Sequence, residues 1–75
     1  MNRIADYRKK AGLTQAEAAA KASWEHQSRW SSYETGARVP GVDDVRRILR
    51  VLNSNGAPCS FDEVFPAPGS HDSAA

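Results

Sequence analysis

The side chains of this 75-residue chain that could do chemistry donate and accept hydrogen bonds; they do not form a catalytic or metal site. The single cysteine, Cys59, excludes an intramolecular disulfide and a thiolate zinc site, and His26 and His71 lie far apart in the sequence. The sequence holds no Ser/His/Asp set, no paired carboxylate site and no phosphate-cradling glycine loop. We therefore expect no enzymatic activity, no metal and no cofactor.

Short polar side chains are concentrated in residues 27–35, which read Gln-Ser-Arg-Trp-Ser-Ser-Tyr-Glu-Thr. Amide and hydroxyl groups can meet the donors and acceptors on base edges, provided that the element carrying them fits a major groove about 12 Å wide. This stretch is the strongest candidate for a binding surface in the sequence.

Charge is distributed unevenly along the chain, although the net charge is only +1. Residues 1–38 hold seven basic and four acidic side chains, a net of +3, whereas residues 39–75 hold three and five, a net of −2. An excess of positive charge in one half is expected when one face meets a polyanion. An ordinary solvated surface would show the same asymmetry, so charge alone does not decide between them.

A length of 75 residues allows one domain. We place this domain at residues 1–66 and expect a disordered tail over residues 67–75, whose composition offers nothing to bury. No apolar run approaches the roughly 20 residues of a membrane span, and the N-terminus lacks the apolar segment of a secretory signal.

Hydrophobic spacing and capping residues predict an all-α fold of five helices. The helices are predicted at residues 2–11, 15–22, 27–34, 42–53 and 61–65. Thr14 and Glu17 form a capping box before the second helix. Ser60 and Glu63 form another before the fifth, and Gly36 ends the third.

The second and third predicted helices, joined by a tight turn, have the arrangement of a helix-turn-helix, whose second helix reads the major groove. The segments Leu13-Thr14-Gln15, Ala19 and Trp30 to Pro40 resemble the lambda-repressor-like, Cro-type (XRE) family of helix-turn-helix proteins. The resemblance extends from Ile4 to Phe65, and the run 27–36 looks particularly like phage Cro-type repressors. It implies a compact five-helix lambda-repressor-like DNA-binding domain with the helix-turn-helix at about residues 14–35.

The chain departs from the family pattern by one extra residue between Gln15 and Tyr33. Because the capping signals fix both helices, we expect this residue in the turn near residues 23–26. A longer turn would tilt the third helix and shift its N-terminal register.

The resemblance also implies which residues contact DNA. The expected base contacts are Gln27, Ser28, Ser32 and Arg29. Arg29 could reach either a guanine edge or a phosphate, and the resemblance favours the phosphate or a position at the edge of the groove. The expected contacts to the DNA backbone are Gln15, Thr35, Arg38 and Arg8.

Two further sets of residues follow from the resemblance. Arg8 and Glu34 are expected to form a partly buried ion pair between the first and third helices. The expected dimer-interface candidates are Leu52, Phe61, Val64 and Phe65. The two phenylalanines could equally close the core.

Several neighbouring residues have a structural interpretation. We predict that Trp30 lies in the core, and that Trp24 is either core or an exposed contact. His26 is interpreted as a cap or turn residue of the third helix, with a DNA contact as the alternative. Asp43 and Asp44 are interpreted as first-turn acids that complement the dipole of the fourth helix.

The resemblance implies a transcriptional regulator of double-stranded DNA: a phage or prophage Cro-type repressor that binds a palindromic operator as a homodimer. No membrane and no small-molecule ligand are expected as partners. We expect such a protein in the cytoplasm of a bacterial or phage-infected cell, associated with the nucleoid. The alternative is an antitoxin-type or other protein-interaction module of the same fold, for which DNA binding is secondary.

Overall fold

The computed structural model describes residues 2–66, and these fold into five helices. The helices are α1 (Ile4–Lys10), α2 (Gln15–Lys21), α3 (Gln27–Thr35), α4 (Val42–Ser54) and α5 (Phe61–Val64). No strand occurs in this part of the chain, so the all-α prediction is confirmed, and each helix boundary lies within two residues of its prediction. The tail predicted at residues 67–75 lies outside the described residues.

Helix α1 begins two residues later than predicted because Asn2 and Arg3 bond to other parts of the fold. The Asn2 amide group donates to the carbonyl oxygen of Tyr33 at 2.6 Å, and its side-chain oxygen accepts from the Ile4 N–H. The backbone N–H of Arg3 donates to the carbonyl of Val64 at 2.7 Å. The N-terminal segment therefore connects α3 with α5.

The core is built from side chains of every helix. The largest fully buried side chains are those of Trp30, Ile4, Ile48, Leu52 and Val64. Both tryptophans are buried, which confirms the prediction for Trp30 and assigns Trp24 to the core. They supply the volume that the alanines of α2 lack.

Two of the expected dimer-interface candidates are core residues instead. Leu52 and Val64 are 0% exposed, because the apolar stripe of α4 and the single turn of α5 both pack into the core. Phe61 and Phe65 keep exposed surface, with Phe61 at 51%. Only these two of the four candidates can contribute side-chain area to a partner.

Asn53 holds the loop between α4 and α5. Its side-chain amide donates to the carbonyl of Cys59 at 3.0 Å, and its side-chain oxygen accepts from the Cys59 N–H at 3.0 Å. The capping box predicted at Ser60 and Glu63 follows directly and is confirmed. These bonds fix the position of α5, and with it that of Phe61, relative to α4.

None of the described helices has the length and apolarity that crossing a bilayer requires. The longest of them, α4, has 13 residues and carries charged side chains on its outer face.

Helix α2 begins and ends with well-defined local motifs. The predicted capping box of Thr14 and Glu17 is present. At the other end, the N–H of Trp24 donates to the Ala19 carbonyl and the N–H of Ser23 to the Ala20 carbonyl. This is the Schellman pattern, whose C′ residue takes the left-handed conformation. The turn to α3 therefore occupies residues 22–26.

Ser23 occupies the left-handed position of this motif with φ 65°, where glycine is usual. Helix α1 ends in the same pattern, and there the left-handed residue is Gly12 with φ 75°. A residue with a Cβ pays for the left-handed conformation with roughly 1–2 kcal/mol. Ser23 is therefore a strained position, whereas Gly12 takes the equivalent conformation after α1 without strain.

We predict that Ser23→Gly stabilises the fold by about 1 kcal/mol, because glycine adopts positive φ without steric cost. Equilibrium denaturation in urea measures this free energy of unfolding. Gly12→Ala is the matched control and should destabilise by a similar amount, since a Cβ there has nothing within 4 Å and only the backbone term changes. An unchanged or lower midpoint for Ser23→Gly would show that Ser23 is not strained.

Candidate nucleic-acid interface

The first turn of α3 presents polar side chains to solvent. Gln27 and Ser28 are exposed, and Ser32 lies one turn further along the same face, half-buried. His26 precedes them in the extended N-cap conformation, but its side chain makes no capping hydrogen bond and is 80% exposed. The first N–H groups of α3 therefore have no side-chain acceptor at His26, and they add positive potential where an anion would approach.

Arg29 lies against the protein instead of extending freely from α3. Its Nη2 donates to Asp44 Oδ2 at 2.8 Å, and its guanidinium carbon lies 4.9 Å from the centre of the Trp24 ring. The side chain is still 45% exposed. The residue expected to contact bases is thus fixed by the turn before α3 and by the first turn of α4.

Asp44 is the acceptor that organises this corner. Its side chain is 15% exposed, and the same Oδ2 that accepts from Arg29 also accepts from the Tyr33 hydroxyl. Burial raises the pKa of Asp44, but the hydrogen bonds from Tyr33 and Arg29 outweigh burial and hold this pKa below its usual value. Asp44 is therefore a carboxylate at neutral pH. Its sequence position at the start of α4 indicated a dipole role but gave no sign of these partners.

The carboxylate of Glu34 connects the first three helices. Oε2 accepts from Arg8 Nε at 2.5 Å and from the indole N–H of Trp30 at 2.7 Å, and Oε1 accepts from the Gln15 amide at 3.0 Å. The Glu34 side chain is only 6% exposed. Burial raises the pKa of Glu34, whereas the hydrogen bonds from Arg8, Gln15 and Trp30 lower it, and the net pKa is below the usual value. One buried anion thus accepts bonds from α1, α2 and α3.

This network gives Arg8 and Gln15 structural partners in addition to the roles expected for them. Arg8 also donates from Nη1 to the Leu13 carbonyl at 2.9 Å, and its side chain is 13% exposed. Little of its surface is left for a DNA phosphate. Gln15, at the start of α2, is half-buried and keeps a second amide hydrogen besides the one that Glu34 accepts.

The segment after α3 is held next to Ser32. The backbone N–H of Arg38 donates to the Ser32 carbonyl at 3.2 Å, and the Thr35 hydroxyl donates to the same carbonyl at 3.2 Å. The Arg38 side chain is exposed and forms no hydrogen bond or ion pair within residues 2–66. It is therefore a cation available to a ligand at the C-terminal end of α3.

A polar groove runs along α3, between this helix and the start of α4. Of the residues expected to contact DNA, the groove brings together Ser28, Arg29, Ser32 and Arg38. Gln27 lies outside its lining at the start of the helix, and Gln15, Thr35 and Arg8 lie elsewhere.

The groove also contains residues that sequence reasoning did not assign to the site. Asp44 and Arg47 line it, and Arg47 donates from Nη1 to the Ala22 carbonyl at 3.0 Å. This bond caps the end of α2 from α4, a contact between residues 25 positions apart for which no local sequence signal exists.

A comparison with protein-family models matches residues 2–58 to a family described as a helix-turn-helix domain. The matched region covers α1 to α4 and the loop that follows, so it includes the whole groove described above. No curated protein and no solved structure matches the chain.

We predict that acid destabilises the fold through Glu34. Its folded pKa is lowered, so its stabilisation is complete above the unfolded pKa of about 4.3 and is lost as the pH falls through the folded pKa. Glu34→Gln should lose about 3 kcal/mol at pH 7, because the Arg8 charge is left without its partner, and should lack this acid-dependent loss. Urea denaturation from pH 7 to pH 2.5 measures both effects.

Glu25→Gln is the control for this prediction, because it removes a carboxylate that is 92% exposed in the turn before α3. Its stability should follow the wild-type curve. Parallel pH curves for Glu34→Gln and the wild type would contradict the role assigned to the buried carboxylate.

Proposed function

Because the chain belongs to the helix-turn-helix domain family, we propose that it is a phage or prophage Cro-type repressor that binds a palindromic operator as a homodimer. The observation that carries the DNA-binding part is the exposed polar first turn of α3, fixed on α2 and α1 by the Glu34 network.

The side chains on this turn have the chemistry of base readout. The amide of Gln27 can pair with the N6 and N7 atoms of adenine. The hydroxyl of Ser28 can donate to or accept from the edges of several different bases. Ser32 would extend the contact by one turn. Thr35, Arg38 and Gln15 all lie near the C-terminal end of this helix, where they could contact phosphates of the groove wall.

The dimer is supported by an apolar groove on the side of the domain next to the end of α3. Val39 is 89% exposed, and Phe61 is 51% exposed and stacks on Phe65 with ring centres 5.3 Å apart. The groove also includes Pro40 and Val45. An apolar surface of this kind usually marks an interaction site, and we assign it to a second copy of the chain.

A dimer formed there would suit an operator with two half-sites. The groove begins at Gly36 and Arg38, directly after α3, so the interface would set the distance between two recognition helices. One domain with few base contacts gives limited discrimination, since each base pair contributes about 1–3 kcal/mol, and two copies double the contacts.

The same apolar groove favours a second candidate function. In an antitoxin-type or other protein-interaction module, a different protein would occupy the groove, and DNA binding would be secondary. The two functions differ in what covers Phe61 and in how strongly the protein discriminates between DNA sequences.

Selection of bound duplexes from a random library tests the proposed function. The proposal expects an enriched inverted repeat whose half-sites lie about one helical turn apart. The selected duplex should bind at least about 10³-fold more tightly than a random duplex of equal length. Equal and weak binding to both duplexes would overturn the proposal in favour of the protein-interaction module.

We predict that Gln27→Ala weakens binding to the selected duplex by about 1–3 kcal/mol and leaves random-duplex binding unchanged, because only a base contact is lost. Arg38→Ala is the comparison variant: it should weaken binding to both duplexes and make the salt dependence shallower by about one unit. Fluorescence anisotropy over a salt series measures both. An equal loss on the random duplex would remove Gln27 from the base-reading residues.

We predict that Phe61→Ser weakens self-association about tenfold, because it removes exposed apolar area from the centre of the interface. Analytical ultracentrifugation over a concentration series measures the dimer constant. Val42→Ser is the control, since Val42 is 70% exposed but does not line the groove. Equal effects of the two substitutions, or none, would place the dimer elsewhere.

A further inference from the structure

We propose that Asp44 is a positioning residue of the DNA-binding surface, which holds the guanidinium of Arg29 in one direction along α3 and so raises sequence discrimination. This inference rests on the proposed function, because it concerns how the same surface separates operator from random DNA.

The geometry fixes the guanidinium from two sides. Asp44 Oδ2 accepts from Nη2 at 2.8 Å, and the Trp24 ring lies 4.9 Å from the guanidinium carbon. Neither partner can move easily: Trp24 is 7% exposed in the core, and Asp44 is held by the Tyr33 hydroxyl. The Tyr33 hydroxyl, which bonds to the same Asp44 oxygen, also lies beside the guanidinium, and the Arg29 side chain is still 45% exposed.

A fixed guanidinium differs chemically from a free one at a DNA surface. The guanidinium of a free arginine is attracted to whichever phosphate is nearest, and this attraction is independent of the DNA sequence. A guanidinium that is already held in place loses less side-chain entropy on binding, and its planar donors match a base edge in one orientation only. Asp44 therefore favours directional contact by Arg29 over general attraction.

The negative charge of Asp44 also raises the discrimination between operator and random DNA. A carboxylate beside the groove cancels the net charge of Arg29 and repels phosphates, so it weakens binding to any duplex. The orientation that this hydrogen bond gives to Arg29 strengthens binding only where a base edge matches the guanidinium donors. The Asp44–Arg29 pair thus weakens random binding more than operator binding, because only the operator gains from the oriented guanidinium.

The neighbouring acid, Asp43, provides a matched comparison within the chain. It lies in the same first turn of α4 and near the same groove, but it is exposed and forms no hydrogen bond within residues 2–66. Asp43→Asn and Asp44→Asn therefore remove the same charge from adjacent positions, and only the second replaces the ion pair to Arg29 with a weaker bond to a neutral amide.

The test measures affinities of the full chain for the selected duplex and for a random duplex of equal length. Asp44→Asn should tighten random-duplex binding and lower the ratio of selected to random affinity about tenfold. Asp43→Asn should tighten both affinities alike and keep the ratio. In an Arg29→Ala background, Asp44→Asn should leave the ratio unchanged, because the residue that it positions is absent. Thermal unfolding confirms that each variant is folded.

Two results would overturn the inference while leaving the proposed function intact. One is an unchanged ratio for Asp44→Asn when the wild type discriminates. The other is a lowered ratio that persists undiminished in the Arg29→Ala background. A wild-type protein that does not discriminate at all would overturn the inference and the proposed function together.

Discussion

The buried carboxylate of Glu34 is the interaction on which the arrangement of the first three helices depends. An anion that is 6% exposed is tolerable only when its oxygens are well bonded, and here the donors come from three helices. Helix α2 has seven residues, most of them alanine, too few for a stable isolated helix and with little side-chain volume to pack. The bonds to Glu34 therefore add a directional constraint to the packing of Ala18 and Ala19 in the core, and the two together fix the orientation of α2 and α3.

This constraint separates two surfaces of different chemistry. Because α3 is anchored through Trp30 and Glu34, its opposite face is free to carry amide and hydroxyl groups. On another side, the single turn of α5 and the loop after α3 leave apolar surface around Phe61. Arg38 lines both grooves, so the polar and apolar surfaces meet at the end of α3. Recognition and assembly would then be coupled through one short segment.

Local signals in the sequence predicted the helices well, and the side-chain roles less well. The capping boxes at Thr14 and Ser60 and the amphipathic stripe of α4 depend on neighbours within a few residues, and the structure contains them at those positions. The helix-turn-helix character also followed from an ordered series of residues, and the family match supports it.

The remaining features depend on contacts between distant residues. No local pattern indicates that Asp44 accepts from Arg29, 15 positions away, or that Gln15 donates to Glu34, 19 positions away. Leu52 and Val64 illustrate the same limit, since an apolar residue near the end of a chain fits a core and an interface equally well until the neighbouring elements are placed. Ser23 is a special case, because serine gives no sign of the left-handed conformation that glycine would have indicated.

The proposed function requires that the first turn of α3 is the part of this domain that reads DNA. An NMR titration of the ¹⁵N-labelled chain with the duplex obtained by selection tests it most directly. If this turn reads base edges, the largest amide shift changes occur at Gln27 and Ser28, with smaller changes at Gln15. Changes confined to the apolar groove around Val39 and Phe61, with the amides of α3 unaffected, would contradict it.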